Sequence, residues 1–210
     1  MINKCRYGGV VLKTPGDQAL SFPSMGWCMH VSNCKKLLAQ WVVAGRLSEK
    51  LPEVAALRGV PQPDEYHLEG DAYVHTMLAM EAVDEDADQR IFWAVLLHDI
   101  GKVLTTAFVE GRWRSRGHAE AGAKLVPEIM CRLGFPELAA DVEWLVRHHD
   151  FLLSWNLKPG DRLTSRQRRF VEHPLFPLLL QVNTADAAAS LGKSHKGELV
   201  KMLEEIIAEI

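Results

Sequence analysis

The stretch Leu97-His98-Asp99-Ile100-Gly101-Lys102 ends an apolar run and places an imidazole directly beside a carboxylate. Ile91, Ala94 and Val95 precede it at helical spacing, which predicts a helix that directs His98 toward the interior. A buried imidazole and carboxylate are costly to desolvate unless a partner satisfies both, and a metal ion can do so. The dipeptide alone is equally compatible with a buried His–Asp hydrogen bond that has no chemical role.

Further imidazoles and carboxylates point inward by the same spacing argument. His75 shares a helical face with Leu78 and Ala82, and Asp186 ends an apolar row on another predicted helix. His148 and His149 both border an apolar stripe, so periodicity does not decide which of the two points inward. The inward-facing set comprises His75, His98, Asp99, His118, the His148–His149 pair and Asp186.

This set predicts a metal centre built from side chains on facing helices. Nitrogen and oxygen ligands without a thiolate suit Mn, Fe, Co, Ni or Zn, and the imidazoles make Mg a poorer fit. Asp99 is the natural bridge between two ions, because a carboxylate carries two oxygens. Such a pair of ions, about 3.5 to 4 Å apart, could hold a hydroxide for an in-line displacement at phosphorus.

Cationic side chains near this motif suggest how a phosphate could be bound. Lys102 could contact a phosphate beside Asp99, although a lysine near a helix end is also favoured by the helix dipole. Arg114 and Arg116 are candidates to neutralise phosphate charge. The arginines over residues 112–116 and 162–169 otherwise have the usual interpretation of a solvated face.

Length and composition indicate one ordinary globular domain with appendages. The 210 residues are 48% hydrophobic and 24% charged, and no apolar run is long enough to span a membrane. The N-terminus lacks a basic-then-apolar signal pattern, and the four cysteines include no C-x-x-C pair. We therefore predict a cytoplasmic protein without a membrane partner. The net charge of −3 argues against a stable nucleic-acid partner.

The pattern along the chain predicts an all-α fold. Residues 1–45 are interpreted as a loop-rich arm followed by the start of a helix, residues 46–192 as the main domain, and residues 193–210 as an amphipathic helix. A hairpin is expected around Glu110-Gly111, and one helix from about His118 to Gly134. Asp71 is expected to cap the helix that carries His75, and Gly101 to take a left-handed conformation after a helix. The arginine-rich segment is interpreted as part of a loop.

The order His75, His98-Asp99, Asp186 resembles the HD superfamily of metal-dependent phosphohydrolases. Five segments extend the match: GVPQPDEYHLEGDAYVHT, LLHDIGK, RGHAEAGAKLV, LVRHHD and TADA look like the C-terminal HD domain of bacterial tRNA nucleotidyltransferases, the CCA-adding enzymes, over roughly residues 46–190. That resemblance implies an all-α HD fold. It also implies phosphodiesterase, phosphatase and nucleotidase activity on 2′,3′-cyclic nucleotides and nucleoside 2′-phosphates, by metal-bound hydroxide.

The resemblance also implies roles for individual residues. His75, His98, Asp99 and Asp186 would bind one metal ion. His118 and His148 would add a second ion, with His149 at the edge of the site or on the substrate. Lys102 would contact the phosphate of a small phosphorylated substrate, with a nucleotide as the expected class.

Other functions in this superfamily match less well. The region before Arg46 lacks the Gly-Gly turn followed by an Asp-x-Asp pair that a nucleotidyltransferase head needs, so this chain is not expected to add CCA. HHDFLLSWN lacks the Gly-Tyr-Pro stretch of the HD-GYP cyclic-di-GMP phosphodiesterases, and nothing outside the ligand set resembles the diiron inositol oxygenases. The alternative from another class is a noncatalytic HD-derived module that binds RNA or acts as a scaffold.

Overall fold

The computed structural model describes residues 30–155, 157–158 and 160–208. Helices dominate these ranges, so the predicted all-α fold is confirmed. The loop-rich arm is predicted to reach about residue 35; residues 1–29 of it lie outside the described residues, whereas residues 31–35 already belong to the first helix. The helices are α1 (Val31–Val43), α2 (Leu47–Lys50), α3 (Pro52–Ala55), α4 (Ala72–Glu81), α5 (Gln89–Leu97), α6 (Lys102–Thr105), α7 (His118–Ala123), α8 (Val126–Leu133), α9 (Ala139–His148), α10 (Ser165–Val171), α11 (Phe176–Ala189) and α12 (Lys196–Ala208).

The strands of the described residues form one antiparallel hairpin, β1 (Ala107–Val109) with β2 (Arg112–Arg114). Glu110 and Gly111 connect them with φ angles of 53° and 76°. Two consecutive left-handed residues match the twist of a two-residue hairpin, so the hairpin prediction is confirmed. Within the described ranges, no helix is both long and apolar enough to cross a membrane.

Helix α5 is the centre of the core. Every residue from Ile91 to Leu97 is buried, and the helix packs against α1, α4, α9 and α11. The sequence predicted an apolar stripe on this helix, and the structure shows that it is buried all round, as expected for a helix enclosed by others. The residues that follow its C-terminal end, His98 and Asp99, therefore emerge in the interior of the bundle.

Gly101 shows why a glycine is needed directly after this motif. Its φ of −68° is right-handed, so the predicted left-handed conformation is wrong. A Cβ atom at Gly101 would lie 2.0 Å from the carbonyl oxygen of His118 and 2.6 Å from the amide nitrogen of Gly122. The glycine is required by the close approach of two backbones, and this approach brings α7 and His118 next to Asp99.

Of three helix boundaries, one agrees with the sequence prediction and two differ from it. Asp71 accepts a hydrogen bond from the amide of Val74 at 2.9 Å and caps α4 as predicted. The single helix expected from His118 to Gly134 is divided into α7 and α8, and a proline lies in the first turn of α8. The arginine-rich segment is not all loop, because Thr164 and Gln167 form a capping box that begins α10.

Candidate metal centre and adjoining cleft

Five elements bring the predicted ligands to one buried point between α5 and its neighbours. His75 lies on α4 and Asp186 on α11, while His118 is the first residue of α7. His98 and Asp99 directly follow α5, and His149 directly follows α9. The side chains gathered there are buried: His75, His98, Asp99, His118, His149 and Asp186.

The inner half of this cluster contains two carboxylates and two imidazoles. Nε2 of His75 lies 2.9 Å from Oδ1 of Asp186, and Nε2 of His98 lies 3.9 Å from the same oxygen. Nε2 of His98 is also 3.2 Å from Oδ2 of Asp99. The donor atoms of His75, His98 and Asp99 all lie within 4.8 Å of one another, close enough to hold one ion.

The outer half shares Asp99 with the inner half. Oδ1 of Asp99 lies 3.5 Å from Nε2 of His118, whose ring faces Nε2 of His149 at 3.1 Å. The donor atoms of these three residues form a second group within 4.8 Å. Asp99 directs one oxygen to each group, so its carboxylate is common to both.

The ring orientation of three histidines is fixed by backbone carbonyls. Nδ1 of His98 donates to Val95 at 2.7 Å, and Nδ1 of His149 donates to Val146 at 2.7 Å. Nδ1 of His118 contacts the carbonyl of Ser115 at 2.8 Å. A ring that donates from Nδ1 in its neutral form has its lone pair on Nε2, which is the arrangement of metal-binding imidazoles.

The orphaned polar atoms of the cluster fit a cation. Nε2 of His98 is buried without a hydrogen-bond partner among the described residues. Nε2 of His118 and Nε2 of His149 face each other at 3.1 Å, although both are acceptors when both rings donate from Nδ1. A shared positive charge satisfies lone pairs that face each other in this way. A set of imidazole nitrogens and carboxylate oxygens suits a transition metal better than Mg.

Burial and charge set the ionisation of these residues. Burial and the neighbouring rings of His118 and His98 lower the pKa of His149 to about 3. Burial would raise the pKa of Asp99, but the neighbouring His98 and Lys102 hold that pKa well below its usual range. His149 is therefore neutral and Asp99 ionised near pH 7, which are the ligating forms.

Two lysines each pair with one oxygen of a central carboxylate. Nζ of Lys102 lies 2.7 Å from Oδ2 of Asp99, as an ion pair outside hydrogen-bond geometry, and donates to Oε1 of Gln62 at 2.6 Å. Nζ of Lys196 donates to Oδ2 of Asp186 at 2.6 Å. Sequence reasoning missed Lys196, because its helix has an ordinary amphipathic pattern and the contact with Asp186 is tertiary.

A buried carboxylate supports His75 from the loop before α4, and the sequence analysis had missed it. Oε1 of Glu69 lies 2.7 Å from Nδ1 of His75 and 2.6 Å from Nδ1 of His67. Oε2 of Glu69 accepts from the amide of Leu191 at 3.0 Å, which ties the end of α11 to this loop. The signal available in the sequence was the close spacing of His67, Glu69 and His75. Because the first two lie in a loop and the third on a helix, no periodicity indicates that their side chains meet.

We expect Glu69→Ala to weaken metal binding by about 10- to 100-fold, because a carboxylate behind a ligating histidine fixes the ring and raises its basicity. Titration of the purified protein with Zn²⁺ or Mn²⁺ measures this effect. The exposed Glu65→Gln in the same loop is the matched control and should retain wild-type affinity. Equal affinity for the Glu69→Ala variant would show that the carboxylate does not support the site.

The remaining predicted site residues divide between the cluster and its surroundings. His148 does not join the cluster: Nδ1 of its half-buried ring contacts the carbonyl of Trp144, and the ring packs beside Phe170. Arg114 is also outside, because it pairs with Glu110 on the hairpin. His149 takes the place expected for His148, since it is the residue that α9 directs to the interior.

A cleft of about 490 Å³ leads from the cluster to the surface. Asp99 and His118 lie at its inner end, and Lys102, Arg116 and Lys196 contribute positive charge to its walls. The cleft is large enough for a small ligand, and its three cations outnumber the carboxylates of Asp99 and Asp150 in the lining, which favours an anionic ligand.

Residues 65–191 match the family model described as HD domain, which covers more than half of the chain. The chain therefore belongs to the HD domain family, a superfamily of metal-dependent hydrolases whose domains bind divalent metals. The resemblance to the HD region of CCA-adding proteins is confirmed as well.

Several relatives carry the name Multifunctional CCA protein. The protein of Halorhodospira halophila is 43% identical over 120 residues, which cover 56% of this chain and 28% of that protein. The protein of Neisseria meningitidis serogroup B is 33% identical over 168 residues, which cover 78% of this chain and 40% of that protein. The chain thus spans less than half the length of these relatives.

Proposed function

We propose that the chain is a metal-dependent phosphohydrolase that cleaves phosphoester bonds of nucleotides or similar small phosphates. The observation that carries this proposal is the position of Asp99, which is shared by two groups of metal-binding donors at the inner end of a cationic cleft. The membership of the chain in the HD domain family supports the same class of reaction.

In this proposal the metal-ligating side chains form two sites. His75, His98, Asp99 and Asp186 would hold one ion, and Asp99, His118 and His149 would hold the second, with Mn, Fe, Co, Ni or Zn as the candidate metals. A bound pair would supply a nucleophilic hydroxide at neutral pH and a Lewis acid for the phosphoryl oxygens. His149 is a ligand in this assignment, whereas the family resemblance implied that it lies at the edge of the site or on the substrate.

The protein's own cations have a separate task. Lys102 is held between Asp99 and Gln62 with its ammonium group at the cleft, where it can neutralise charge on a phosphate. Arg116 lines the same cleft and can contact a second phosphate oxygen or the leaving group. Arg114 has no such role, because it points to Glu110 on the hairpin.

Two measurements on protein purified without chelators test the proposal. Elemental analysis should give up to two transition-metal ions per chain. A screen of 2′,3′-cyclic nucleotides, nucleoside 2′-phosphates and phosphomonoesters should identify at least one hydrolysed class. Metal-loaded protein that hydrolyses none of them would contradict the proposal and favour the noncatalytic HD-derived module.

Lys102→Met should lower turnover by about 10²- to 10³-fold, the usual effect of removing one group that stabilises transition-state charge. Metal content should remain, because the lysine is not a ligand. Turnover and metal content are measured on the same preparation. Lys124→Met, which removes an exposed lysine paired with Glu120, is the control. Loss of metal from Lys102→Met would instead assign Lys102 a structural role.

A further inference from the structure

A second cavity, of about 800 Å³, lies on the other side of the segment that follows α9. The segment separates the two cavities, because its residues Asp150 and Leu153 line the cleft whereas Phe151 and Trp155 line the second cavity. We call the second cavity the aromatic–arginine groove and define it by the residues Phe151, Trp155, Arg166, Arg169 and Phe170. Its size lies within the range of small-ligand sites.

The rings of the groove leave a position for a planar ligand. Trp144, behind the groove, is already stacked on His173, with ring centroids 4.0 Å apart and planes 5° apart. Trp155, by contrast, has only edge-to-face contacts among the described residues, with Phe151 and Phe170 at interplanar angles of 85° and 74°. A flat aromatic ligand can therefore take the parallel position on Trp155 that no ring of the described part of the chain occupies.

Among the described residues that line the groove, positive charge is in excess. Arg147 is neutralised, because it pairs with both Glu120 and Glu143. Arg166 and Arg169 are exposed at the groove and make no ion pair with another described residue. The pattern of an aromatic surface beside free guanidinium groups suits a ligand that has both a planar ring and a phosphate.

We propose that the aromatic–arginine groove binds a nucleotide, with the nucleobase stacked on Trp155 and the phosphate on Arg166 and Arg169. This binding goes beyond the proposed hydrolysis and does not need the metal centre. The proposal assigns a role to the arginine segment over residues 162–169, which the sequence pattern indicated to be a solvated face. His148 also lines this groove. The same chemistry is offered by a free nucleotide and by a nucleic-acid strand.

Isothermal titration of the full metal-loaded chain tests the groove with two probes that resist hydrolysis. One is the 5′-phosphonate analogue of AMP, and the other is a phosphorothioate-linked tetraadenylate. Arg169→Glu and Trp155→Ala should each raise the Kd by about tenfold, the loss expected from one phosphate contact or one stacked base. Binding of the tetraadenylate at least tenfold tighter than the phosphonate identifies a strand as the ligand, and similar affinities identify a free nucleotide.

Matched variants separate the groove from general charge and from the cleft. Arg162→Glu makes the same change of charge outside the groove, and Trp113→Ala removes a partly exposed tryptophan from the hairpin. Both should stay within twofold of wild type, and any binding that Lys102→Met weakens belongs to the cleft and not to the groove. The proposal is overturned if neither probe binds below a millimolar Kd, if Arg162→Glu weakens binding as much as Arg169→Glu, or if Arg169→Glu and Trp155→Ala leave the binding unchanged while Lys102→Met abolishes it. Thermal melting followed by circular dichroism confirms that each variant is folded.

Discussion

Asp99→Ala is expected to abolish both bound metal and hydrolysis while the helical content remains close to that of wild type. Asp99 is the residue common to the two donor groups, so its replacement would remove a ligand atom from both groups at once. Charge stabilisation by metal is worth several kcal/mol, and its loss corresponds to a rate decrease of roughly a thousandfold or more. Elemental analysis, turnover and circular dichroism measure the three quantities.

Asp99→Asn refines this test, because it keeps the shape of the side chain and removes its charge. Asp150→Asn is the matched control: Asp150 lines the same cleft but belongs to neither donor group, so the variant should retain its metal. Retained turnover in Asp99→Ala would overturn the two-ion hypothesis. Retained metal with lost turnover would place Asp99 on the substrate instead of the ions.

The sequence was most informative where a polar side chain interrupts an apolar helical row. His98 follows a helix that is buried all round, and Asp186 lies on a helix whose apolar row it ends, so the inward direction of both was predictable. Burying an imidazole or carboxylate without a partner is costly, and this makes such interruptions informative. The same reasoning placed His75 correctly on α4, where it is buried.

The residues missed by the sequence analysis lie on loops or act across the fold. Glu69 precedes α4 in an irregular segment, where no periodicity tells whether a carboxylate is buried. Lys196 begins α12 and reaches Asp186 only because the preceding segment is fixed to another loop, with the amides of Gly192 and Lys193 bonded to the carbonyls of Tyr66 and Glu65. Such long-range hydrogen bonds have no signature in local spacing.

His149→Ala is expected to lower the metal content toward one ion per chain, whereas His148→Ala should leave it unchanged. Consecutive residues on a helix are about 100° apart, so the apolar stripe of α9 touches both histidines and periodicity does not decide. The structure separates them: His149 is buried with Nε2 facing His118, and His148 is half-exposed beside Phe170. Burial and the neighbouring rings of His118 and His98 lower the pKa of His149 to about 3, so this ring is neutral and can ligate a metal near pH 7.

The two variants are matched, since each removes one imidazole from adjacent positions of the same helix end. Loss of one ligand from a small set should weaken the second ion strongly, so dialysis against metal-free buffer followed by elemental analysis will resolve the difference. Turnover should fall with the metal in His149→Ala and stay near wild type in His148→Ala. The opposite result would restore the ligand assignment implied by the family resemblance, and it would require α9 to rotate by about one residue, or 100°, relative to α5 and α7.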